Sequence, residues 1–247
     1  DIFFTCHEFS YNKIAEAYEP YLGLIRQMFH KYCSGTLEEF MEECDVYKLQ
    51  RPVFESYFEK GFCERTEQIL IDEVEYEQER MRNSIVTMLQ KLSEIRPVVI
   101  VLNRFQLASK STMQLSNSLL QVKNKNIGIV LGVNDVQSIP EFAHEEWDAI
   151  CESMDDRNMV YHIGNAGRNM EPDVMDYYSD YESDDGYRKL NNLVYFLDFD
   201  QADHHLSKIE RRIKFDNFTI SEKKHYQLLL LQIMVSVLQR DIAKALE

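Results

Sequence analysis

Residues 96–109 (RPVVIVLNRFQLAS) carry a β-branched run that stops abruptly at Asn103 and Arg104. A buried parallel strand that ends this way delivers its last side chains to the sheet edge where open α/β sheets bind ligands. Two acids at such a position would hold Mg²⁺ and polarise an attacking water. An amide supports a hydrated Mg²⁺ only weakly, and a guanidinium stays protonated and cannot act as a general base. Hydrolysis at Asn103 and Arg104 is therefore not expected, and no residue is assigned a catalytic role. Arg104 reads as the partner of an acid at the sheet edge, with ligand binding as the alternative.

The other chemically suggestive groupings are weaker. Asn134-Asp135 follows a second apolar run and reads as turn residues or as a ligand-facing edge. Cys6-His7-Glu8 sets a thiol beside a base, but the sequence identifies neither oxyanion donors nor an orienting third group. His204 and His205 are neighbours on a helix and point in different directions, which is poor metal geometry. Asp180-Tyr-Glu-Ser-Asp-Asp-Gly186 hints at a Ca²⁺ loop, yet Asp185 stands where the turn glycine belongs and Asn191 where a bidentate Glu belongs. No metal site is assigned.

The elements that would position these groups follow from periodicity. Residues 2–5 (IFFT) read as a short buried strand. A helix starts at Pro20, a favoured first-turn residue, and places Leu22, Ile25, Met28, Phe29 and Tyr32 on one face. Thr36-Leu-Glu-Glu39 has the form of a capping box, and Pro52 opens a third helix with Val53, Tyr57 and Phe58. Residues 64–93 begin polar and become a regular helix, with Met81, Ile85, Met88, Leu89 and Leu92 sharing a face. Arg96-Pro97 ends it, because the residue before a proline disfavours helix.

Residues 98–102 (VVIVL) and 127–133 (IGIVLGV) read as buried strands. Between them lies a helix that Ser109 or Ser111 caps, carrying Met113, Leu115, Leu119, Leu120 and Val122, and then a turn at 123–126. Such a unit is parallel and right-handed. Its two strands pair directly or leave a gap for a strand the chain lacks, since unpaired backbone groups are costly. Residues 145–154 read as a helix with Trp147, Ile150 and Cys151 inward, and 159–163 as a strand. Residues 171–187 hold seven acids without periodicity and read as a solvated loop. Residues 192–199 (NLVYFLDF) read as a further strand, followed by helices at 201–212 and from 221 onward. The last is apolar on more than one side, with Leu228, Leu231, Val235 and Leu238 on one face and Leu229, Ile233 and Val237 close by. Its surplus face must be covered by neighbouring helices or by a helical array continuing beyond Glu247.

The pattern indicates an α/β class: a parallel sheet flanked by helices, with a C-terminal helical annex. The expected divisions are an α/β core at 1–140, an acidic linker region with the remaining strand or strands at 141–200, and a helical annex at 201–247. Of the net charge of −15, residues 141–185 alone carry −12, leaving the rest near neutral. That balance argues against nucleic acid, which needs clustered Lys and Arg. No apolar run reaches the roughly 20 residues that span a bilayer, and no basic amphipathic stretch suggests a membrane surface. Five cysteines without a CxxC pair point to a reduced, cytoplasmic setting.

Residues 98–120 (VVIVLNRFQLASKSTMQLSNSLL) resemble the second acidic motif, Walker B, of the signal-transducing (STAND, AAA-plus-like) branch of P-loop ATPases. In those proteins the strand commonly ends in Leu-Asp-Asp-Leu-Gln-Trp-Ala-Asp, and a helix starts near a Ser. Leu102, Gln106, Ala108 and Ser111 match that pattern, with Phe105 and Leu107 as apolar equivalents. The strand at 127–133 resembles the family's sensor strand, and residues 16–29 (EAYEPYLGLIRQMF) resemble the segment after its second strand. The likeness spans roughly residues 1–135. It implies that Asn103, Arg104 and Asn134 are remnants of cofactor-binding positions. Two departures limit what it implies. The chain has eight glycines and no Gly-x-x-x-x-Gly-Lys-Ser/Thr loop to cradle phosphates, since Gly-Asn-Ala-Gly-Arg at 164–168 lacks the spacing and the lysine. The acidic pair is also replaced. No cofactor is expected within this chain, and ATP with Mg²⁺ only with an upstream segment. The resemblance thus implies a regulatory or scaffolding domain of a bacterial-type signalling protein, which does not itself hydrolyse nucleotide. Its partners would be proteins or adjacent domains, including a helical repeat. The alternative is a catalytically silent interaction module, unrelated to nucleotide, whose helical surfaces and acidic loop dock a basic partner.

Overall fold

The computed structural model describes residues 2–10, 13–63, 74–122, 124–134, 139–155, 160, 181, 183–215 and 219–239. Among these the chain forms a three-stranded sheet and nine α-helices. They are, in order, β1 (Phe3–Glu8), α1 (Tyr21–Tyr32), α2 (Leu37–Glu43), α3 (Arg51–Lys60), α4 (Val74–Ile95), β2 (Val98–Asn103), α5 (Lys110–Gln121), β3 (Ile127–Gly132), α6 (His144–Asp155), α7 (Asp184–Tyr195), α8 (Phe199–Phe215) and α9 (Glu222–Leu238). The class is α/β, with a small parallel sheet flanked by helices.

Local chemistry accounts for several helix starts. The capping box at α2 is closed on both sides: the Glu39 amide donates to Thr36 Oγ1 at 3.2 Å, and the Thr36 amide to Glu39 Oε2 at 2.8 Å. Ser109, rather than Ser111, caps α5, accepting from the Thr112 amide at 3.2 Å. Ser183 caps α7 and Ser221 caps α9 in the same way. The apolar stripes of α1 and α4 are buried as their spacing predicts, except Tyr32, which stays half-buried.

The strand order is β1-β2-β3, all parallel. In register, Phe3 aligns with Val98 and Val98 with Ile127. β2 and β3 therefore pair directly, with no gap between them. Both crossovers run the same way along the sheet, so right-handed connections put their helices on one face. There Val98, Ile100 and Leu102 are buried to 1% exposure or less. The opposite face carries Phe4, Val99, Val101 and Val130, and Phe4 and Val130 are 64% and 54% exposed. This corrects the expectation of fully buried strands. The strand expected at 2–5 instead runs from Phe3 to Glu8 and alternates between half-buried and exposed.

Residues 192–199 are not a strand. They form the end of α7, a turn and the start of α8, and all eight residues are buried. A continuous apolar run lacks the polar interruptions that separate strand from buried helix. The N-terminal cap at Ser183 decides for helix. The acidic stretch also divides: Asp184–Tyr187 is helical, whereas 171–180 lies outside the described residues, as does the strand expected at 159–163 apart from Val160, which is in no strand. In α6 Ile150 is buried, but Trp147 and Cys151 remain half-exposed. α9 buries Leu231 and Val235 and leaves Leu230, Ile233 and Val237 about half-exposed, at 52%, 46% and 55%. Among the described residues, no helix is long and apolar enough to cross a membrane.

Candidate functional site

The C-terminal ends of the three strands form the sheet edge that the sequence singles out. Glu8, Asn103 and Gly132 align there in register on the open face. Asn103 leans over Gly132: a Cβ at that glycine would lie 3.0 Å from Asn103 Oδ1, so a larger residue there would push the exposed amide aside. Asn103 Nδ2 reaches Cys6 Sγ, two residues back along β1, at 3.7 Å. Arg104 sits just past β2 with a left-handed φ of 55°. Its Nε meets Glu8 Oε1 at 3.3 Å. The pairing of Arg104 with an edge acid is thus the geometry found, and both side chains remain partly exposed.

Asn134 lies beyond β3 and accepts a hydrogen bond from Gln106 Nε2 in the 3-10 turn Phe105–Leu107. Gln106 is fully buried, and its Oε1 has no partner among the described residues. The three sequence-predicted residues therefore share one edge, but with separate partners: Asn103 with Cys6, Arg104 with Glu8, and Asn134 with Gln106. Asp135 lies outside the described residues.

A second cluster at the same edge, on the covered face, is absent from the sequence reading. The loop between β1 and α1 carries Glu16 and Glu19, and the hydroxyl-rich start of α5 holds that loop in place. Ser109 Oγ donates to the Glu16 carbonyl at 2.9 Å and Thr112 Oγ1 to the Glu19 carbonyl at 3.0 Å. The Tyr18 amide donates to Ser111 Oγ at 3.1 Å. Glu19 Oε1 lies 3.5 Å from His7 Nε2, and Glu19 Oε2 accepts from the Glu16 amide at 3.1 Å. Asn192 of α7 donates to Glu16 Oε2 at 2.9 Å. His7, Glu16, Glu19, Gln27 and Tyr57 line a cavity of about 220 Å³.

Burial, and then the neighbouring Glu19, push Glu16 up to about 7. Burial raises Glu19 as well. Burial, reinforced by Lys13 and Lys189, lowers His7. Two carboxylates that resist ionisation beside an imidazole that resists protonation can hold a proton near neutral pH. The signal available in the sequence was the Glu-x-x-Glu spacing inside an apolar stretch with Ala15, Ala17, Tyr18 and Tyr21, all of which are buried.

The remaining groupings resolve structurally. Cys6 and His7 alternate along β1 and face opposite sides of the sheet, so they form no dyad. His205 is buried between partners, with Nδ1 2.8 Å from Tyr181 Oη and Nε2 2.9 Å from Gln201 Nε2. Its burial drives it down to about 3, and burial drives His204 to about 4. The sequence drawn as a Ca²⁺ loop is helical from Asp184 onward, and Asn191 donates to the Cys63 carbonyl at 2.6 Å. Among the described residues, no three His, Cys, Asp or Glu side chains are grouped so as to hold a metal ion. Compared with family models, curated proteins and solved structures, the chain matches none.

Proposed function

We propose that this chain is a regulatory or scaffolding α/β domain of the signal-transducing P-loop ATPase type, one that does not turn over nucleotide itself. The observation that carries the reading is the strand edge. Asn103 and Arg104 stand where Mg²⁺-binding and water-activating acids would be needed, and Arg104 is tied to Glu8. The parallel strand-helix-strand unit from β2 through α5 to β3 is in keeping with the resemblance. In this reading α8 and α9 are the helical annex, and the open sheet face is where neighbouring domains or protein partners pack. Parallel sheets are normally covered on both faces, so an exposed one marks a contact surface. A nucleotide bound by an upstream segment would act through different affinities for two arrangements of the domain.

Calorimetry with ATP and ADP in the presence of Mg²⁺ tests this, on this chain and on one extended upstream in its parent reading frame, together with a phosphate-release assay. The expected result is no phosphate release by this chain. Binding confined to the extended form makes the domain half of a nucleotide switch, and binding by neither form makes it a scaffold. Phosphate release by this chain that changes on Asn103→Ala or Arg104→Ala overturns the reading.

A second reading, the silent interaction module unrelated to nucleotide, is favoured by a separate observation: an acid-rimmed groove among the helix starts of α4, α5, α6 and α8.

A further inference from the structure

Helices α4, α6 and α8 each begin with acids in the first turn: Glu75 and Glu77, then Glu145 and Glu146, then Asp200. Acids there offset the positive helix ends, which accounts for each one locally. The fold then brings those three starts together, with the start of α5 and the end of α9, around one groove of about 1120 Å³. Its apolar lining includes Val74, Tyr76, Phe199 and Leu238, and Tyr76 is half-exposed. Around that lining stand Glu75, Glu79, Glu145 and Asp200.

Two features go beyond helix-end chemistry. Lys110 sits in the first turn of α5, the wrong end for a cation, and is held by Asp200 at 2.6 Å and Glu146 at 3.7 Å. Glu146 lines the groove with its side chain only 11% exposed. Its Oε1 accepts from Gln114 at 2.8 Å, while its buried Oε2 has no hydrogen-bond partner among the described residues. Buried carboxylate oxygens are normally paired, so Glu146, paired through Oε1 alone, is an exception among the described residues.

We propose that the groove docks a basic amphipathic helix from a protein partner. The proposal rests on the reading of the chain as an interaction domain and names the surface and the partner chemistry. Carboxylates around an apolar strip complement a helix with Lys or Arg flanking an apolar stripe. The walls are helices and present no free strand edge, so an added strand would find no ladder, whereas a helix satisfies its own backbone. Phosphates would meet like charge at the rim, which excludes nucleic acid.

The test is fluorescence anisotropy with a labelled peptide of Leu and Lys arranged at helical spacing, against a scrambled peptide of the same composition. The chain is expected to bind the amphipathic peptide and not the scrambled one, with affinity falling between about 50 and 300 mM salt. The triple variant Glu75→Lys/Glu79→Lys/Glu145→Lys is expected to weaken binding by about tenfold or more. A control triple on α2 and α3, Glu38→Lys/Glu55→Lys/Glu59→Lys, alters net charge equally and is expected to stay within roughly twofold. Glu75→Gln/Glu79→Gln/Glu145→Gln removes the charges without reversing them at helix starts, and an intermediate loss is expected. Equal weakening by both Lys triples, or no preference for the amphipathic peptide, overturns the proposal. The titration contains no nucleotide, so its failure leaves the interaction-domain reading to stand or fall on the phosphate-release result alone.

Discussion

The sheet edge presents two polar clusters that differ in burial more than in residue type. On the open face, Glu8 and Arg104 pair at 3.3 Å with side chains 59% and 32% exposed. On the covered face, Glu16 and Glu19 sit in a cavity beside His7, and burial alters what each will ionise to. The same carboxylate is nearly free of consequence where water screens it and costly where water is excluded. The cluster that the sequence singled out is thus the energetically quiet one, and the unannounced cluster is the stressed one.

Three measurements sharpen or break that contrast. The largest effect is expected from Ser109→Ala. The Ser109 side chain is fully buried, caps α5 and grips the Glu16 carbonyl, so its loss frees the loop that carries the buried acids. Urea denaturation should record a destabilisation of about 2 kcal/mol. A loss within experimental error would mean the loop is held by something other than the start of α5.

The next is Glu16→Gln, read across pH. A carboxyl raised to about 7 in the folded state, from about 4.5, contributes stability that is fully present below pH 4.5 and lost as pH rises through 7. The neutral amide escapes that loss. Thermal melts should therefore find the variant more stable than wild type by about 1–2 kcal/mol at pH 8 and equal to it near pH 4. His204 and His205 act in the opposite sense. Their lowered values give stability present above 6.5 and lost as pH falls toward 4 and 3, so the two proteins should weaken together on acidification. A pH-independent difference between them would refute the assignment of Glu16 as a proton-holding group.

The smallest effects belong to the open face. Glu8→Gln breaks a partly exposed ion pair and should change stability by less than about 1 kcal/mol, less still in high salt. Arg104→Gly loses the same pair but removes a side chain from a left-handed backbone, so the two changes should nearly cancel. A loss of about 3 kcal/mol in either variant would erase the contrast between the clusters, because no exposed pair is worth so much.

What could be read in the sequence was what short-range chemistry decides. The Thr36 capping box, the stripes of α1 and α4, and the strand-helix-strand unit from β2 to β3 each follow from residues within one or two turns of each other. The end of β2 at Asn103 was legible for the same reason, and so was the absence of acids there. The helix at 192–199 was not legible, because burial on every side erases the alternation that tells helix from strand. The proton-holding cluster was not legible either. It joins His7, Glu16, Glu19 and Asn192 across as many as 176 positions of sequence, and only packing removes the water that would otherwise leave its carboxylates ordinary. Local spacing and residue chemistry set most of the strands and helices and showed which residues could not serve as acids. Tertiary structure alone decided which face of the sheet is covered and which carboxylates are buried. Those depend on long-range contacts and on the exclusion of solvent, and neither is a property of any local stretch of chain.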